Sequence, residues 1–107
     1  MEEIRTPGFT AKDMFNATTS EGLKSVVGKT INVVDVWIVE RPDIDGVVQQ
    51  VANFKTDDGL IYSTISQPVI RSAVAIPELL QESSPVAIRV EERAGSGSKK
   101  YLIIQLA

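Results

Sequence analysis

The sequence predicts an all-β fold with minor α content: a five-stranded Greek-key barrel, with a helical segment between the third and fourth strands and a short helical extension in front. Three observations predict it. From Lys29 onward apolar residues recur with a period of two, not 3.6. The resulting strand-like runs are separated by turn-forming stretches, "RPDIDG", "DDG" and "AGSGSKK". One apolar stretch of helical spacing, opened by a proline in "PVIRSAVAI", interrupts the series after the third run.

The elements follow in order. Residues 1–9 read as a loose arm broken at Pro7-Gly8. Thr10 caps a short helix through Asn16, with Asp13 at the capping-box position. Ser20 caps a second short helix, "EGLKSVV", stopped by Gly28, with Leu23, Val26 and Val27 as its buried side. The first long strand is 30–40. Its alternation puts Val34, Val36 and Ile38 on one face and Val33, Asp35, Trp37 and Val39 on the other. The second strand is Val47–Thr56. "DDG" closes a hairpin onto the third, Leu60–Ser66, where Ile61 and Ile65 point inward and Tyr62 and Thr64 outward. Pro68 opens the helical segment, and Pro77 either kinks it or starts another helix, "PELLQES". The last strands are Val86–Arg93 and Tyr101–Leu106. Three strands, a helix and two strands suit a barrel of the OB type; an SH3-like barrel lacks a helix of this size there. Two regions are expected: an N-terminal arm with short helices, 1–28, and the barrel, 29–107.

Composition restricts function. The chain has 107 residues, room for one core. It lacks cysteine and histidine, which removes Cys/His zinc sites and the Ser-His and Cys-His catalytic pairs. No enzyme activity, cofactor or metal is expected. No apolar run is long enough for a membrane span, and the acidic start lacks the apolar block of a signal peptide, so the expectation is a cytoplasmic protein. The net charge is −3, distributed unevenly: residues 86–107 carry four Lys/Arg against two Asp/Glu, and residues 1–46 carry five against eight. Positive potential is expected near the end of the chain.

Several motifs read as ordinary structure. "VVGKT" has the wrong glycine spacing for a phosphate-binding loop. "DIDG" lacks the later ligands of a calcium loop. Asp57 and Asp58 are turn formers before they are a metal pair.

The long strand after "GK-x-I", the "FKTDDG" turn, the "YSTIS" strand, the helix opening "PVIR" and the closing hairpin together resemble small single-stranded DNA-binding proteins of bacterial phages and plasmids, over residues 28–107. The resemblance implies sequence-nonspecific work in DNA replication or recombination inside a bacterial host cell, with replication proteins as partners and a homo-oligomeric state. The alternative reading is a virion structural or protein-interaction barrel.

Single-strand binding needs aromatic faces for bases and cations for phosphate. The expected contacts are Trp37, Arg41, Phe54, Lys55, Tyr62, Thr64, Arg93, Lys99 and Lys100. Two of these stay open at this stage. Trp37 either meets bases or packs under the N-terminal helices. Phe54 and Lys55 necessarily take opposite faces, so one is core and the other points at ligand.

Overall fold

The computed structural model describes residues 3–107. In chain order its elements are β1 (Ile4–Arg5), α1 (Ala11–Ala17), β2 (Glu21–Gly22), a 3₁₀ turn (Leu23–Val26), β3 (Thr30–Pro42), β4 (Val48–Thr56), β5 (Ile61–Thr64), α2 (Gln67–Ala73), α3 (Ile76–Glu82), β6 (Val86–Ala94) and β7 (Lys100–Leu106). The fold is mostly β: one curled, mixed sheet in the order β2-β5-β4-β3-β6-β7, with β1 added beside β3. Its seven strands, two of them only two residues long, stand against five expected. Among the described residues only the β2–β5 pairing is parallel.

β3 is the hub. It pairs at Val33–Pro42 with β4, at Thr30–Val33 with β6, and at Trp37–Ile38 with β1. A bulge separates the last two partners: Val33 lies opposite Thr56 and Asp35 opposite Lys55, which leaves Val34 as the extra residue. Bulges bend a strand and increase its twist, so the curl of the sheet begins here. The bulge also corrects the expected faces. Ile31 and Val33 before it, and Val36 and Ile38 after it, all enter the main core. Val34 is only half-buried.

That core fills the concave side. Phe54 and Ala52 of β4, Ile88 and Val90 of β6, and Val69, Ile70, Ala73 and Ile76 of the helices meet the β3 side chains there. The helical segment forms as expected, with one refinement: Pro77 sits in the first turn of α3 and so opens a separate helix. The turn of "DDG" also forms, with Gly59 at φ 85° and the Thr56 N–H donating to Leu60 O at 2.9 Å.

The N-terminal expectation needs correction. The described part of the arm is packed. The Thr6 N–H donates to Val36 O at 3.0 Å, and the Thr6 hydroxyl donates to the Asp35 carboxylate at 2.7 Å. Gly8 lies so close to that carboxylate that a Cβ would stand 2.4 Å from it. Phe9 is fully buried. Thr10 and Asp13 do form a capping box on α1. The expected second helix does not form. Glu21–Gly22 instead pairs with Tyr62–Ser63 of β5, and only a 3₁₀ turn remains to bury Leu23 and Val26. A three-residue spacing of apolar groups satisfies a 3₁₀ turn as well as an α-helix.

A second, smaller cluster therefore covers the convex side: Phe9 and Ala17 from the N-terminal segment pack on Trp37 and Ile61, with Met14 and Val39 at its edge. Among the described residues no helix is long and apolar enough to cross a membrane.

Candidate nucleic-acid interface

The hairpin expected to grip bases has its faces reversed. Phe54 lies opposite Tyr62, and Lys55 opposite Ile61. Cross-strand partners share a face, so Tyr62 goes with Phe54 to the concave layer and Ile61 goes with Lys55 to the convex one. Tyr62 and Lys55 therefore cannot act side by side. Phe54 is fully buried and offers no surface for stacking. Tyr62 is half-buried and packs against the main core.

The convex face beneath α1 is occupied. Trp37 is buried there, its ring 5.7 Å from that of Phe9 and its Nε1–H donating to the Glu3 carboxylate at 2.8 Å. This settles the open choice: Trp37 packs under the N-terminal segment. Lys55 donates to the Asp13 carboxylate at 2.9 Å. Asp13 is nearly enclosed. Burial pushes its carboxyl up, but the Thr10 N–H, the Lys55 ammonium and the Thr10 hydroxyl outweigh it and hold the group below the ordinary carboxylate range. Asn53 is buried beside them, donating to Trp37 O at 3.0 Å and accepting from the Ser63 hydroxyl at 2.7 Å, while Ser63 also meets Ser20. Every buried polar side-chain atom described here has a partner.

The remaining expected cations divide. Arg93 is exposed but reaches Glu91 at 2.9 Å, and Arg89 reaches the same carboxyl at 3.2 Å. Arg93 first and Arg89 second hold Glu91 below the ordinary range, so both guanidiniums are engaged. Lys99 is exposed in the loop before β7. Arg41 stands over the outer side of Trp37, 5.8 Å from the ring centroid. Lys100 lies 3.8 Å from Glu92.

Arg41, Thr64 and Lys100 nevertheless line one seam, with Thr64 common to the two hollows that reach Arg41 and Lys100. β5 ends at Thr64, and the gap between it and β7 is spanned by the Ser66 hydroxyl donating to Leu102 O at 2.9 Å. Two adjoining hollows of about 530 Å³ each lie along this seam and share Lys24, Thr64, Ile65 and Leu102. The first reaches Arg41 and Gln49. The second reaches Ser98, Lys100 and Tyr101, with Glu92 as its acid. Among the described residues the trough thus carries three cations, Lys24, Arg41 and Lys100, against one carboxylate. Its floor includes Ile65 and Tyr101, which are 56% and 42% exposed.

Lys24, Ile65 and Tyr101 escaped the sequence reading. Lys24 falls in the span of an expected helix that does not form, and Ile65 reads as inward although β5 stops one residue before it. Tyr101 had a usable signal: an aromatic ring directly after two lysines, where a strand leaves a Gly/Ser loop.

The acidic turns behave as turns. The Asp58 carboxylate accepts from the Thr56 hydroxyl and from the Leu60 N–H, which lowers its pKa. Asp43 accepts two N–H groups of its own turn. Among the described residues no three acidic side chains converge into a metal-binding group. No protein-family model, curated protein or solved structure gives a significant match to this chain.

Proposed function

We propose that this chain is a non-enzymatic single-stranded DNA-binding protein built on an OB-type barrel, acting in phage or plasmid replication or recombination within a bacterial cell. The seam trough carries the reading. It combines an exposed aromatic ring with Lys24, Arg41 and Lys100, while Thr64, Gln49 and Ser98 supply hydrogen-bonding groups. A base stacks on Tyr101, and the flanking phosphates meet the cations. The five strands from β3 onward support the barrel type: β5-β4-β3-β6-β7 is the neighbour order 3-2-1-4-5, with helices between the third and fourth.

The test is polarisation of a labelled oligo-dT, at low and moderate salt, against a duplex of equal length. Oligo-dT is expected to bind more tightly. Tyr101→Ala should cost about 1–3 kcal/mol, one stacking platform. Lys24→Ala should lower the log–log salt slope by about 0.7, the share of one phosphate on a single strand. Equal affinity for duplex, whose base faces are hidden, would remove the proposal. So would an unchanged affinity in Tyr101→Ala.

One observation favours the interaction-barrel reading instead: the tip of the β3–β4 hairpin exposes Ile44, Val47 and Val48 to solvent.

A further inference from the structure

The β3–β4 hairpin is the longest pairing among the described residues and runs on to Pro42–Val48. Among the described residues β1 pairs with β3 at Trp37 and Ile38, and β5 stops opposite Ala52. Four further rungs, from Val39–Val51 to Pro42–Val48, carry the two strands on to their turn. At about 3.3 Å per residue this is a reach of roughly 13 Å before the turn.

The turn is locked. The Asp43 carboxylate accepts the Asp45 N–H at 2.8 Å and the Val47 N–H at 2.9 Å. The Asp43 N–H donates to Val47 O at 2.8 Å, and Gly46 takes the left-handed corner at φ 83°. On this frame Ile44, Val47 and Val48 are 101%, 62% and 61% exposed. A rigid frame loses little entropy on docking, and clustered exposed aliphatic side chains mark contact surfaces.

The chemistry of the tip selects its partner. Ile44 stands between Asp43 and Asp45, so phosphate chains and anionic lipid are repelled. The complementary surface is an apolar hollow rimmed by cations. The seam trough has that character, with Ile65, Tyr101 and Leu102 within it and Lys24, Arg41 and Lys100 around it. We propose that the ribbon tip of one copy docks into the seam trough of a second copy, Ile44 against Ile65 and Leu102, and the two aspartates against the trough's cations. The contact requires only tip and trough and holds whether or not the trough also takes DNA. Where it does, a second copy and a single strand exclude one another, because both engage the same cations.

The experiment is sedimentation velocity on the full chain, from low micromolar to near-millimolar protein. Wild type should grow beyond its 11.6 kDa monomer as concentration rises. Ile44→Asp alters a fully exposed side chain and should weaken association on the order of tenfold or more. Lys24→Glu should do the same from the trough side. Mixing the two variants should restore a heterodimer, since one retains its trough and the other its tip. A wild type that stays monomeric throughout would overturn the proposal. So would association indifferent to Ile44→Asp, or a mixture that fails to associate. Oligo-dT binding by Ile44→Asp is measured in parallel. If it matches wild type while assembly is lost, the two uses of the trough are separate. If wild type assembles but binds no oligo-dT, only the single-strand reading falls.

Discussion

Phe54 and Trp37 sit on neighbouring strands, and each anchors a different layer. Phe54 on the concave side is fully buried with aliphatic side chains from β3, β6, α2 and α3. Trp37 on the convex side meets one ring, a guanidinium and a carboxylate, beside a lysine–aspartate bridge and the Asn53–Ser63–Ser20 hydrogen bonds. The concave layer joins elements from the whole length of the chain. The convex layer is a lid made by the described N-terminal segment, residues 3–20. Apolar packing is non-directional and additive with area. A polar-laced contact depends on each partner being present, since an unpaired buried group carries its own desolvation cost. The two layers should therefore fail differently.

The largest expected effect comes from the concave side. Phe54→Ala should lower the unfolding free energy by about 3–5 kcal/mol, through lost transfer energy and an unfilled cavity. Denaturant titration followed by far-ultraviolet circular dichroism measures it, and sheet and helix signals should melt together. Phe9→Ala should cost less, about 3 kcal/mol, because its cluster is small and the lid can settle. Fluorescence of Trp37, the single tryptophan, sharpens the comparison. If the layers are separable, its emission shifts toward solvent at a lower denaturant concentration than the sheet unfolds. Coincident transitions would make the molecule one cooperative unit.

How far these layers were legible in the sequence varies with the distance over which information must travel. The strands after Lys29, the turn at Gly59, the Thr10 capping box and the Pro68 helix start are each specified within a few residues. Faces are set by partners. In "LIYSTI" both faces mix apolar and polar residues, and Ile61 is apolar because Phe9 and α1, more than forty residues earlier, cover it. The seam trough was half legible for the same reason: Arg41, Thr64 and Lys100 were selected singly, but only the sheet curl brings them to Lys24 and Tyr101.

The smallest effect is electrostatic. The Asp13 carboxyl is held below its unfolded value near 3.8. Its contribution is therefore complete above that value and disappears as pH falls through the lower, folded pKa. Wild type should thus lose about 1 kcal/mol more stability than Asp13→Asn between pH 6 and pH 3. Glu91 and Asp58 titrate in both proteins and cancel in the difference. Parallel pH profiles for the two would show that the Lys55 bridge contributes nothing to the lid.

The bulge at Val34 has a consequence for how this gene can change length. Within β3 a lost codon anywhere else would invert the order of inside and outside for every residue beyond it. Dropping Val34 leaves that order intact, because Val33 and Asp35 already face opposite sides, as neighbours in an unbroken strand do. Such a deletion would straighten the strand at the point where β6 gives way to β1. The longest strand of the protein thus contains one position where a residue can be gained or lost at the expense of shape alone.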